Sequence, residues 1–157
     1  MEMAMEKSDK ITNPLLENET EIASESEKSE SNNNHKPKQI LLVDDDPLII
    51  RLLKEPLEKA GYQVKVATHG LEALQTVKER RPDLIILDIL MPMLDGFKTA
   101  RLLKFDKRFK DIPIIVLTSR NTEGERRMGE QVGANEFLLK PFRLPQVLEV
   151  VRRYLNA

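Results

Sequence analysis

Residues 39–50 read QILLVDDDPLII, an apolar run that ends abruptly in three adjacent aspartates and a proline. A short apolar run of this kind is typical of a buried β-strand. Three carboxylates side by side repel one another, and removing a carboxylate from water is costly. We therefore expect a bound cation near Asp44, Asp45 and Asp46, because a cation would offset both costs.

The composition limits the classes of protein to which the chain can belong. It has 157 residues, of which 40% are hydrophobic and 32% charged, which suits one globular domain with one core. The absence of cysteine excludes disulfides, thiolate zinc sites and cysteine nucleophiles. No apolar run approaches the roughly 20 residues that cross a bilayer. The N-terminus MEMAMEKSDK lacks the apolar core of a secretory signal. We expect a cytoplasmic protein that does not enter a membrane.

Charge is distributed unevenly along the chain. The formal net charge is −1, but residues 1–37 carry nine acidic and four basic side chains. This segment includes SESEKSESNNNHKPK (24–38), whose few apolar side chains cannot offset the entropy lost on folding. We predict a disordered acidic tail over residues 1–37 and a globular domain over residues 38–157. The tail is interpreted as solubilising, with a docking segment as the alternative.

Strand-like and helix-like segments alternate from residue 38 onward. Five apolar runs predict β-strands at residues 39–43, 62–67, 83–88, 113–118 and 135–140. Five segments of helical length follow them, among them LPQVLEVVRRYL (144–155) with apolar residues on one face. This alternation predicts an α/β fold, a doubly wound five-stranded parallel sheet with five helices. The second run alternates polar and apolar residues, which favours a position near an edge of the sheet.

The chemically active side chains stand where predicted strands end: Asp44, Asp45 and Asp46 after the first, Asp88 at the third, Thr118 at the fourth and Lys140 at the fifth. Parallel strands point the same way, so these side chains should meet at one edge of the sheet. Carboxylates suit a hard cation such as Mg²⁺. With a hydroxyl and an ammonium added, the group forms a receptor for a tetrahedral oxyanion, with Asp88 placed to attack phosphorus.

Several other residues have local interpretations. Asp46 followed by Pro47 fits a helix N-cap with proline at the first helical position. His69 stands in a turn and is interpreted as incidental. Gly96 is expected to serve a turn that needs positive φ. Pro56 is expected to kink the first helix or shift its register.

Four segments together resemble the receiver domains of two-component response regulators: LLVDDD (41–46), LIILDILMPMLDG (84–96), IIVLTS (114–119) and GANEFLLKPF (133–142). The resemblance covers residues 38–157, and the segments occur in the family's order, each at the end of a predicted strand. It implies the flavodoxin-like, receiver type of doubly wound sheet. It also implies a phosphorylation-activated signalling switch, as used in phosphorelays, and not a turnover enzyme.

The resemblance assigns the phosphoacceptor and the magnesium site. Asp88 would be the phosphoacceptor and also a metal ligand. Asp45 would be the direct carboxylate ligand of Mg²⁺, and Asp44 the second member of the acidic pair, acting through water. The backbone carbonyl of Leu90 would complete the protein's share of the metal shell.

The resemblance also assigns the switch. Thr118 would be the switch hydroxyl, Lys140 the ion-pairing lysine, and Pro141 would follow a cis peptide bond. Phe137 occupies the aromatic switch position, with an ordinary core residue as the alternative. In the family, Thr118 moves towards the phosphoryl group and the aromatic ring swings inwards behind it. This movement would reshape the face formed by the fourth helix, the fifth strand and the fifth helix.

The fourth helix carries Gly124 and Gly129, each of which lowers helix stability by about 1 kcal/mol relative to alanine. We expect this helix to be easily displaced, which would suit a switching face.

The resemblance implies a sensor histidine kinase or a phosphotransfer protein as phosphoryl donor, with Mg²⁺ as cofactor. The sequence ends just after the fifth predicted helix, so we expect no direct DNA binding and an output through a downstream protein partner. A phosphorylation-dependent homodimer through the switching face is a further expectation. Self-phosphorylation and self-dephosphorylation would be the only reactions.

Two rival functions remain. The first is a phosphorylation-independent scaffold with a receiver fold, although such domains usually lack the acceptor or the lysine. The second is a phosphatase with an aspartyl nucleophile, since the triplet at 44–46 contains an Asp-x-Asp. The chain shows no cap insertion of the kind that such a phosphatase carries.

Overall fold

Each apolar run that predicts a strand forms one in the computed structural model, which describes residues 36–90, 95–119 and 123–156. The strands are β1 (Gln39–Val43), β2 (Gln63–Ala67), β3 (Leu84–Asp88), β4 (Ile114–Thr118) and β5 (Glu136–Leu139). They form one sheet in the order β2-β1-β3-β4-β5, and every neighbouring pair is parallel. The alternating second run is an edge strand, as predicted. Most of the predicted tail, residues 1–35, lies outside the described residues.

Five helices connect or follow these strands: α1 (Pro47–Lys59), α2 (Gly70–Glu79), α3 (Gly96–Phe105), α4 (Glu123–Gln131) and α5 (Leu144–Leu155). The predicted doubly wound α/β fold is therefore confirmed. α1 continues through Pro56 to Lys59 as one helix. In the described part of the chain, no helix is long and apolar enough to cross a membrane.

The sheet separates two hydrophobic layers. On one face, Leu41 and Val43 of β1 pack with residues of α2 and α3, such as Ala73 and Leu103. On the other face, residues 40 and 42 of the same strand pack with residues of α1 and α5. All residues of β3 and β4 are buried, which explains why these runs are apolar without alternation.

Local hydrogen bonds set where two helices begin. The Asp46 carboxylate accepts from the backbone N–H of Leu48 at 2.9 Å, so Asp46 caps α1 as predicted. His69 has a structural role that its interpretation as incidental missed. Its Nδ1 accepts from the backbone N–H of Glu72 at 3.2 Å, and the Glu72 carboxylate accepts from the backbone N–H of Thr68 at 2.8 Å. Together these two hydrogen bonds cap the start of α2, in an arrangement similar to a capping box.

Gly96 does not serve a turn with positive φ, so that expectation is wrong. Among the described glycines, positive φ occurs at Gly61 and Gly133. A Cβ on Gly96 would lie 2.5 Å from the carbonyl oxygen of Asp88 and against the Cα of Ile89. The missing side chain therefore lets the start of α3 approach the backbone at the end of β3, which is where the candidate site lies.

Candidate functional site

Three carboxylates converge at the carboxyl edge of the sheet. Asp44 and Asp88 are buried, with 0% and 4% of their surface exposed, and Asp45 is exposed. One oxygen from each of the three lies within 4.8 Å of the others. Oxygen ligands at this spacing fit a small divalent cation, with Asp45 open to solvent on one side. The predicted convergence of these acids is present.

Lys140 reaches the same cluster from the end of β5. Its Nζ donates to Asp44 Oδ2 at 3.1 Å and lies 3.6 Å from Asp88 Oδ1. The Lys140–Pro141 peptide bond is cis, as the resemblance implies. The backbone N–H of Lys140 donates to the carbonyl oxygen of Thr118 at 2.7 Å, which ties the base of the lysine to the end of β4.

Burial and mutual repulsion disturb the protonation of the two buried acids. Burial raises the pKa of Asp88 to about 6, and the neighbouring charge of Asp44 adds to this effect. The backbone N–H of Leu90, which donates to Asp88 Oδ1 at 3.2 Å, and the Lys140 ammonium act in the opposite direction. Burial also raises the pKa of Asp44. One lysine therefore does not fully compensate the cluster, and a bound cation would favour the ionised acids.

Both oxygens of Asp44 already accept hydrogen bonds. Oδ1 accepts from the backbone N–H of Asp46 at 2.9 Å, and Oδ2 accepts from Lys140. This engagement suits the predicted indirect role of Asp44, through water, better than a direct one. Asp45 and Asp88 are then the two carboxylates predicted to be direct ligands. The ligand role of the Leu90 carbonyl stays a prediction.

Thr118 and Phe137 lie on the same side of the sheet. Thr118 is the last residue of β4 and is fully buried. Val116 is two residues before it, so the two side chains share a face of the strand. Phe137 pairs with Val116 in the sheet and packs against the core layer that contains Val116. The switch pair that the resemblance names is therefore stacked along one face of two neighbouring strands.

The sequence interpretation missed two close contacts of glycine. Gly96 lies against the backbone of the phosphoacceptor candidate, and Gly129 lies against the ring of Phe137. The sequence interpretation assigned Gly96 to a turn and treated Gly129 as a weak helix former, but a missing side chain signals a close approach only when the neighbour is known. No spacing in the sequence could have identified these neighbours.

Comparison with known proteins identifies the family. The model of the response regulator receiver domain matches residues 40–152. The response regulator MprA of Mycobacterium sp. (strain KMS) is 41% identical over 120 residues, which are 76% of this chain. The chain spans about half of that relative's length, 51%. The polar-differentiation response regulator DivK of Brucella anthropi is 34% identical over 76% of this chain and 98% of its own.

A solved structure extends the comparison to the metal site. The receiver domain of a sensor histidine kinase from Pseudomonas aeruginosa superposes with a TM-score of 0.72 at 30% identity, covering 78% of this chain and 100% of its own. That protein has a magnesium ion coordinated in its active-site cleft. The family model, the two relatives and the solved structure all point to the same family, and the carboxylate cluster at the edge of the sheet is consistent with it. The chain therefore belongs to the response regulator receiver domain family.

Proposed function

We propose that this chain is a signalling switch that accepts a phosphoryl group on Asp88 from a histidine kinase or a phosphotransfer protein, with Mg²⁺ bound. The observation that carries the proposal is the convergence of Asp44, Asp45 and Asp88 within 4.8 Å, with the Lys140 ammonium 3.6 Å from Asp88. Bound Mg²⁺ would supply positive charge for the carboxylates and for the incoming phosphoryl oxygens.

The transfer needs only a positioned nucleophile and positive charge. An oxygen of the Asp88 carboxylate attacks phosphorus in line, a new O–P bond forms, and the bond from phosphorus to the donor breaks. Lys140 lies where its ammonium can hold a phosphoryl oxygen while it stays paired with Asp44. Attack of water on the acyl phosphate returns the free Asp88 carboxylate and releases phosphate. Such self-catalysed steps set a switch and do not turn over a substrate.

The output is proposed to pass through Thr118 and Phe137. Both lie on one face of β4 and β5, so a shift of Thr118 towards the phosphoryl group would open space on the side of the Phe137 ring. The face formed by α4, β5 and α5 would change and bind a downstream protein partner. A homodimer through this face, the absence of direct DNA binding and the cytoplasmic location stay predictions.

The rival functions have less support. A phosphorylation-independent scaffold has no need for an acceptor, an acidic pair and a lysine that converge at one edge of the sheet. An aspartyl phosphatase would use Asp44 as its nucleophile, yet both oxygens of Asp44 are already held by the Asp46 N–H and Lys140.

The test is phosphorylation of the full chain by acetyl phosphate with Mg²⁺, followed by intact mass and phosphate-affinity electrophoresis. We expect the wild type to gain one phosphoryl group that hydroxylamine removes, because an acyl phosphate is labile to this reagent. Asp88→Asn should gain none. Asp111→Asn, which makes the same charge change before β4 at the opposite edge of the sheet, should label like the wild type. Labelling of Asp88→Asn at the wild-type level would reject Asp88 as the acceptor.

A further inference from the structure

Gly129 and the ring of Phe137 occupy complementary space. Gly129 is the residue of α4 that is buried in the described structure. A Cβ built on it would lie 2.7 Å from Cε1 and 3.1 Å from Cδ1 of Phe137. Carbon atoms do not approach this closely without a shift of one of them, because van der Waals contact begins at about 3.5 Å. The ring therefore sits where any other residue at position 129 would place its side chain.

We propose that Gly129 is the positioning residue of the switch, because its missing side chain forms the seat that holds the Phe137 ring in the resting position. The proposal rests on the function proposed above, in which Phe137 responds to phosphorylation of Asp88. It assigns to α4 a defined energetic role: the seat stabilises the resting state and sets how much free energy phosphorylation must supply.

The direction of the effect follows from the surroundings of the ring. A side chain at position 129 would overlap ring carbons and no backbone atom of β5, so the ring is the group that moves. On its outer side the ring lines a groove of about 720 Å³ between α4 and β5, together with charged residues such as Arg126 and Glu130. Movement into this groove would expose apolar surface to water. Movement inwards keeps the ring against the core layer, and in the function proposed above this is the direction of the activated state.

Gly124 provides a matched control on the same helix. It is exposed, and a Cβ built on it meets nothing within 4 Å. Gly129→Ala and Gly124→Ala each replace a glycine of α4 with alanine, and both therefore raise the helix propensity of α4. Gly129→Ala alone removes the seat of the ring.

The experiment is a titration of the full chain with beryllofluoride in the presence of Mg²⁺, followed by amide NMR. We expect Gly129→Ala to bind beryllofluoride about fivefold or more tightly than the wild type, and Gly124→Ala to bind like the wild type. In a Phe137→Ala background the two glycine variants should have equal affinity, because the overlapping ring is gone. Equal affinity of the two variants in the presence of Phe137, or weaker binding by Gly129→Ala, would overturn the proposal.

The controls separate this proposal from the proposed function. If beryllofluoride binds the wild type and Asp88→Asn alike, or binds neither, the function itself fails. If beryllofluoride binds the wild type and not Asp88→Asn, the proposed function stands. The comparison of Gly129→Ala with Gly124→Ala then tests the role of Gly129 alone. Should Gly129→Ala not fold, the wild type still gives a result, because the ring shifts the α-proton resonances of Gly129. A marked change of these resonances on beryllofluoride binding supports the seat, and unchanged resonances contradict it.

Discussion

Asp88 is buried among negative charges and yet must be ionised to act as a nucleophile. Burial and the charge of Asp44 raise its pKa to about 6. The Lys140 ammonium at 3.6 Å and the N–H of Leu90 at 3.2 Å hold the carboxylate in place and partly oppose that shift. At neutral pH the side chain is mostly ionised at a cost to stability, and a raised pKa of this kind is typical of functional sites.

The raised pKa predicts the pH dependence of stability in the absence of metal. Between about pH 4 and pH 6 the folded protein keeps a proton on Asp88 that the unfolded chain has released, so stability falls as the pH rises through this range. Asp88→Asn removes the ionised group. We expect its free energy of unfolding to exceed that of the wild type by up to about 3 kcal/mol at pH 7.5, and by almost nothing at pH 4.

Urea unfolding with a chelator present, over a series of pH values, would measure this difference. Asp111→Asn is the control, because that carboxylate is exposed, and it should change stability little at either pH. The prediction is wrong if Asp88→Asn is no more stable than the wild type at pH 7.5.

Hydrogen bonds hold α3 at both ends, and the bond at its start lies next to the end of β3. At its start, the backbone N–H of Gly96 donates to the carbonyl oxygen of Ile89 at 3.2 Å, close to Asp88. Near its other end, Lys104 Nζ donates to the carbonyl oxygens of Lys110 at 3.0 Å and Ile112 at 2.9 Å. The helix is therefore bonded to the segment that follows β3 and to the loop that precedes β4.

Gly96→Ala tests the close approach of α3 to β3. The added Cβ would meet backbone atoms of residues 88 and 89, which cannot rotate away as a side chain can. We expect the free energy of unfolding to fall by about 1–3 kcal/mol. Phosphorylation by acetyl phosphate should slow as well, because the carbonyl that is displaced belongs to Asp88.

Gly124→Ala is again the control, since it adds the same methyl group to open space. It should leave phosphorylation unchanged and increase stability by up to about 1 kcal/mol. Urea unfolding and the rate of labelling are the measurements. A Gly96→Ala protein as stable and as reactive as Gly124→Ala would contradict the packing argument.

The topology of the whole sheet builds the site from distant segments. Lys140 and Asp44 are 96 residues apart in the chain and 3.1 Å apart in the structure. They meet because all five strands are parallel and therefore end at one edge. Ligand sites of such sheets lie at this edge, where successive connections leave in opposite directions.

A cation bound only by the folded state should stabilise the whole molecule. At a concentration of Mg²⁺ a hundredfold above its Kd, the gain in the free energy of unfolding is about 2.7 kcal/mol. We expect this gain for the wild type and its loss in Asp45→Asn, because Asp45 belongs to the carboxylate cluster. Asp46→Asn makes the same charge change one residue away and keeps a good N-cap, so it should retain most of the gain.

Thermal unfolding with increasing Mg²⁺ measures these shifts. An equal shift for Asp45→Asn and Asp46→Asn would show that Mg²⁺ acts on the surface charge of the triplet and not at the predicted site.

The sequence by itself determined where the strands lie, that they are parallel and end at the same edge of the sheet, and that the acidic residues stand at that edge. These follow from local periodicity and from the rule that parallel strands end together, so Asp88, Thr118 and Lys140 could be placed without coordinates. The edge position of β2 and the cap at Asp46 are also local properties. The cap formed by His69 and Glu72 is also a local property, but it was missed because histidine is not one of the residues that usually cap a helix.

Only the tertiary structure decided which atoms touch. It showed Gly96 against the carbonyl of Asp88, Gly129 against the ring of Phe137, and both oxygens of Asp44 already engaged. The physical reason is that periodicity tells which face of an element is buried, but not how far a helix is rotated or shifted on the sheet. Shifts of about 1 Å decide such contacts, and they depend on the packing of all layers together.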